Sequence, residues 1–196
     1  MKRIIHAVAV LALLALPALA AAETWSIDAD HSSVGFTVRH MMVSNVKGSF
    51  GTFSGTVEVD EKDIAGSKVS VTIDAASINT GVAKRDEHLR SADFFDTARY
   101  PTVTYVSKKV EKSGKDRLKV YGNLTLRGVT RPVVLDVEGP TAAYRDPWGK
   151  TRRGASATAT INRRDFGLTW NKVIEAGGVL VGDEVKIILE MEFIRK

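Results

Sequence analysis

Three histidines, His31, His40 and His88, together with Asp30, Asp86 and several serines, are the side chains of this sequence whose types could do chemistry. An imidazole titrating near neutrality serves as a general base or a metal ligand, a carboxylate orients it, and a serine hydroxyl supplies a nucleophile. Spacing decides what those types allow. Asp30, His31 and Ser32 are consecutive, and neighbours in an extended chain point to opposite faces, so these three cannot form one triad. The sequence holds no nucleophile elbow, HExxH helix, Walker loop or Rossmann glycine pattern. Zinc held by the histidines with Asp30 or Asp86 keeps a hydrolase or metal-dependent enzyme as the alternative function, although the spacing matches no strong ligand motif. The expectation is no catalysis, no metal and no cofactor.

The elements that must position these residues are strands. In "HSSVGFTVRH", residues 31 to 40, Val34, Phe36, Val38 and His40 share one face, which places an imidazole at the end of an apolar row. The same period of two sets Val57 with Val59, Val69 with Val71 and Ile73, Leu118 with Val120, Leu124 and Leu126, and Val185 with Ile187, Leu189, Met191 and Phe193. Runs near residues 32 to 40, 50 to 60, 67 to 74, 101 to 110, 117 to 127, 131 to 139, 153 to 163 and 184 to 195 give about eight strands. That number suits a closed antiparallel β-barrel. "DPWG" at 146 to 149 carries the residues of a type I turn. One stretch, "NTGVAKRDEHLRSADFFDTARYP", lacks alternation; Val82, Arg85, Asp86 and Leu89 at helical spacings predict a short helical insertion, with Ser91 capping a second turn that carries Phe94 and Phe95.

The N-terminus bounds the compartment. Lys2 and Arg3 precede an apolar run from Ile4 to Leu16, then Pro17 and "ALAAAE", the pattern of a secretory signal peptide cleaved after Ala22, or alternatively Ala20. Residues 1–22 are therefore set apart from one domain spanning residues 23–196, and the expected location is the periplasm. Without Lys2 and Arg3 the chain keeps 26 basic and 23 acidic residues, a net charge of +3. That mild excess, scattered among acids, excludes nucleic acid as the expected partner, and Arg127, Arg131, Arg145, Arg152 and Arg153 read as solvated surface. Cysteine is absent, which excludes disulfides and thiolate metal sites. A membrane-embedded barrel ranks last, since only 14 of 196 residues are aromatic and no girdle is visible. Gly122 interrupts an inward row, and Ala155, Ala157 and Ala159 occupy a whole face, leaving space for neighbouring side chains or a ligand.

"DADHSSVGFTVRHMMVSNVKGSFGTFSGTVEVD", "SINTGVAKRDEHLRSADFFDTARYPTVTYVS", "GNLTLRGVTRPVVL" and "INRRDFGL" together resemble the YceI-like family of periplasmic polyisoprenoid-binding proteins, in the family's order and over nearly the whole chain after the signal. The resemblance implies an all-β, lipocalin-like eight-stranded antiparallel β-barrel with a short helical insertion. It also implies a non-catalytic function: carrying a polyisoprenoid, an isoprenoid quinone or another long-chain amphiphilic lipid in the lumen. On that reading Phe36, Val38, His40, Phe53, Phe94, Phe95, Tyr105, Leu124, Phe166 and Trp170 contact the ligand, and His31, Arg85, Asp86 and His88 are candidate head-group contacts. His40 is expected either to bond Asp30 or to face the head group. A cavity on the order of 1,000 Å³ is expected for so long a tail. Transient membrane contact and a monomer or homodimer complete the expectation.

Overall fold

A computed structural model describes residues 22–174 and 178–196; the signal segment, apart from Ala22, lies outside the described residues. Ten long strands dominate: β1 Glu23–Ile27, β2 Ser33–His40, β3 Ser44–Phe50, β4 Phe53–Val59, β5 Lys68–Asp74, β6 Thr102–Gly114, β7 Arg117–Leu126, β8 Val129–Glu138, β9 Thr151–Asn162 and β10 Val181–Arg195. Every pairing among them is antiparallel. The ring runs β9, β8, β7, β6, β5, β4, β1, β10 and closes where β10 pairs with β9 from Arg152↔Ile194 to Asn162↔Glu184. Closure removes the unpaired edges that an open sheet of this size would expose.

Eight positions and ten strands are reconciled by two interruptions. β1 and β2 follow each other along the same side of β10, with Ile27 opposite Phe193 and Ser33 opposite Glu190. Between them the Asp28 carboxylate accepts from the Asp30 N–H at 3.2 Å and starts a 3-10 turn, Ala29–His31. β3 and β4 break in the same way, β3 pairing with β2 and β4 with β1. Alternation misses β1 and β3. β3 reads SNVKGSF, with two apolar residues on its inward row, and its strand state comes from pairing with β2 rather than from its own pattern.

The inward faces are those the alternation predicts. Val120, Leu124 and Leu126 of β7 and Phe193 of β10 are buried, as are Phe50 and Phe53 on either side of the β3–β4 turn and Val34, which pairs with Phe50. Trp25, Val59 and Phe193 close one end of the barrel. Phe166, Ile78 and Val110 are almost completely buried, each contributing about 1.5–3 kcal/mol. The insertion holds one helix, α1 Ala83–Arg90, followed by turns to Tyr100 in which Ser91 Oγ accepts from the Asp93 N–H at 3.3 Å. Its inward contacts come from Asp86 and Leu89, while Val82 precedes the helix and is exposed.

Candidate functional site

The lumen is built from every second residue of the wall. Val34, Phe36 and Val38 of β2, Val69, Val71 and Ile73 of β5, and Val185, Ile187, Leu189 and Met191 of β10 line one continuous cavity. Leu89 of α1 with Phe94 and Phe95 covers it from the insertion. It extends from Met191, one step above the closed end, to Val38 and Val181 near the β2–β3 tip. Its volume is about 200 Å³, well below the expected ~1,000 Å³. The shortfall has a local cause: aromatic rings project inward, Phe36 to Phe50 at 5.9 Å and Phe50 to Phe95 at 5.7 Å between centroids.

Among the described residues, no polar atom of the wall faces this cavity. Two wall residues are polar, and both turn their polar atoms away. Tyr105 donates its hydroxyl to the Val120 carbonyl at 2.8 Å, with the Val133 carbonyl at 3.2 Å, and burial pushes its phenol pKa well up. Arg163 donates to the carbonyls of Leu168, Trp170 and Gly182 and to Asp183 at 3.1 Å. Burial lowers its pKa, yet the ion pair with Asp183 answers the charge. Such a surface binds apolar matter by area and presents no nucleophile or base to it.

The residues expected to contact a ligand divide. Phe36, Val38, Phe94, Phe95, Tyr105 and Leu124 line the cavity; Phe53 and Phe166 are buried in the surrounding core; Trp170 packs outside, 4.8 Å from His88 and 5.1 Å from Phe94. Gly122 leaves no gap, because a Cβ there would lie 2.5 Å from Tyr105 Cζ: the tyrosine ring already occupies the space. His40 is half-buried at the end of β2, outside the cavity wall, and Asp30 lies beyond the other end of the strand, so the expected His40 to Asp30 bond does not form.

The candidate head-group residues have partners within the fold. His31 sits on the outer surface, its Nδ1 2.9 Å from Asp28. Arg85 donates to Thr80 Oγ1 at 2.7 Å and to the Thr80 carbonyl at 2.9 Å, while buried Asp86 accepts from the Thr80 N–H and hydroxyl. These bonds dock α1 on the end of a two-residue strand, Ile78–Asn79, that pairs with β3. His88 pairs with Asp93 at 2.8 Å. The histidines therefore do not converge: His31 and His40 lie at opposite ends of β2.

Three arginines read as solvated surface have built-in roles. Arg152 lies on the outer wall within 2.5 Å of Asp28 and Glu192 and 2.6 Å of Asp146. Its guanidinium fills the position that Asp28, His31 and Glu192 would otherwise offer a cation. Burial opposes ionisation of Asp28, but hydrogen bonds from Arg152, His31 and the Asp30 N–H outweigh it and hold the carboxyl below its usual range; the Arg152 hydrogen bond does the same for Asp146. Arg153 is inward and buried, stacked 4.6 Å over Trp25 and 2.7 Å from Glu61. Arg127 ties the carbonyl of Ala92 to that of Gly167, joining the insertion to the turn after β9. Only the inward position of Arg153 was legible in sequence, from its odd-numbered row with Ala155, Ala157 and Ala159.

The sequence profile of the YceI-like domain matches residues 25–193. The chain belongs to the YceI-like family. A UPF0312 protein of Vibrio parahaemolyticus is 42% identical over 168 residues, covering 85% of this chain and 88% of that one. The crystal structure of a Campylobacter jejuni YceI protein superposes with a TM-score of 0.69 at 34% identity, over 81% of this chain and 90% of that chain. A polyisoprenoid binding domain from Saccharophagus degradans, implicated in plant cell wall breakdown, has a TM-score of 0.64 at 20% identity, over 88% and 98% of the two chains. At that identity the last likeness speaks for the YceI-like barrel alone.

Proposed function

We propose that this YceI-like protein is a non-catalytic periplasmic carrier that encloses the tail of a polyisoprenoid, an isoprenoid quinone or a similar long-chain lipid. The observation that carries the reading is the continuous cavity whose wall turns every polar atom away. Each methylene moved into such a lumen contributes about 0.8 kcal/mol, so affinity grows with tail length until the space is full. Export is supported by the N-terminal pattern of residues 1–22. The ligand class is supported by family membership and by the likeness of the barrel to the polyisoprenoid binding domain of Saccharophagus degradans.

A cavity of about 200 Å³ encloses only part of such a tail. The occupant therefore displaces side chains of the wall, and Phe94 and Phe95 are the ones that yield, because they stand on turns rather than on a strand ladder. Organic extraction of protein purified from its own periplasm, followed by mass spectrometry, is expected to release lipid. Delipidated protein that takes up neither labelled prenyl nor labelled fatty ligands would end the carrier reading.

A further inference from the structure

The turn joining β2 to β3 is built against its own backbone preference. The Val43 N–H donates to the His40 carbonyl at 3.1 Å, and both central residues, Met41 and Met42, are left-handed with φ of 48° and 61°. Asn-Gly is the pairing such a turn favours, because side chains other than Asn and Gly are strained there. Here two methionines stand in those places, and neither they nor the next residue is buried in the core: Met41 is 41%, Met42 55% and Val43 75% exposed. Packing and backbone energetics both disfavour this tip.

Its surroundings say what it meets. Met41 donates its N–H to the Leu180 carbonyl, beside Val179 and a second exposed valine, Val173 at 85%. These apolar points lie at the end of the barrel where Val38 and Val181 bound the cavity, opposite the Trp25 plug. No carboxylate occurs between Asp30 and Glu58, whereas Arg39 and Lys47 flank the tip and Lys172 adjoins Val173. Arg39 braces the turn, donating to the Met42 carbonyl at 2.7 Å. Asp183 at that end is paired with Arg163 and Arg164, while Glu184 and Asp165 are exposed carboxylates without an ion pair among the described residues, and Glu175 follows Val173 in the sequence; the cationic excess is confined to the tip itself.

We propose that the Met41–Val43 tip inserts into the headgroup layer of an anionic lipid bilayer and seats this end of the barrel on it. A narrow projecting tip suits a fluid surface, since a protein partner requires roughly 800 Å² of complementary area on each side. Unbranched methionines adapt to such a surface, and the flanking cations add attraction to anionic headgroups. The inference rests on the carrier reading, for which it supplies the loading face.

The test is flotation of the mature chain with vesicles of phosphatidylglycerol and phosphatidylethanolamine, against pure phosphatidylcholine, at low and at physiological salt. Wild type is expected to float with the anionic vesicles. Met41→Asn with Met42→Gly is expected to lose at least about tenfold in partitioning while its melting midpoint rises by about 2–4 °C, because the turn is relaxed. Should that variant fold poorly, Val43→Ser and Lys47→Glu probe the apolar and charged contributions separately, each expected to weaken flotation. Equal flotation of wild type and all variants, or no flotation of wild type, overturns the proposal. Loss of a dimer in the turn variant without any flotation overturns it in favour of a second copy of this chain. Uptake of cis-parinaric acid added without membranes is measured in parallel: retained uptake with failed flotation removes only the docking face, and failed uptake removes the carrier reading itself.

Discussion

At the scale of single residues, the molecule spends its polar groups on holding shape. Tyr105 lies over Gly122 and reaches the Val120 carbonyl, so any side chain at Gly122 must displace the ring. Gly122→Ala is expected to destabilise by about 1–3 kcal/mol through overpacking, and Tyr105→Phe by about 1 kcal/mol through the lost hydrogen bond; thermal unfolding measures both. The His40 imidazole makes no side-chain hydrogen bond among the described residues. His40→Ala should accordingly change the stability of the ligand-free protein by no more than about 0.5 kcal/mol, and a larger loss would return the histidine to a structural role. The Arg152 cluster makes a pH prediction. Asp28 and Asp146 are held below the ordinary carboxylate range, so their stabilisation is complete above about pH 4, the unfolded value, and is lost as pH falls toward their folded values. Arg152→Met should lower the melting midpoint at neutral pH, and its deficit against wild type should shrink on acidification below about pH 4.

At the scale of elements, β2 sets the bore. Phe36 is directed into the lumen and lies so close to Gly48 that a Cβ there would be 2.3 Å from its ring, whereas Thr37 faces outward between Lys47 and Lys186. Phe36→Trp has no direction in which to grow except into the cavity. It should weaken long-tailed ligands about tenfold and short-tailed ones less, with Thr37→Trp as the unaffected control in a fluorescence titration. The insertion is the complementary element. Arg127 latches it to Gly167, and Arg85 and Asp86 anchor α1 to Thr80, so Phe94 and Phe95 hang between two fixed points. Hydrogen exchange in residues 91–100 should change on ligand binding while β9 and β10, paired over eleven residues, stay protected. Exchange that changes equally in both would mean that the wall, rather than the insertion, makes room.

For the whole molecule, the barrel was legible in sequence and the state of its lumen was not. Alternation determined the inward faces of β2, β5, β7 and β10, because a half-buried strand must send every second residue to the core whatever its neighbours are. It also determined the insertion, where that rhythm fails, and the motif order determined the family. Tertiary structure alone decided that β1 and β3 are strands, since a short strand with few apolar residues takes its state from its partners. It likewise decided which polar residues serve the fold. Arg152 gathers Asp28, Asp146 and Glu192 from distant parts of the chain, and no spacing rule brings such residues together before the ring closes. The cavity is the last of these decisions: volume is the difference between a barrel's bore and the side chains that enter it. Alternation names which side chains enter, but how far Phe36, Phe50 and Phe95 reach across the lumen depends on the register of strands and turns far apart in sequence.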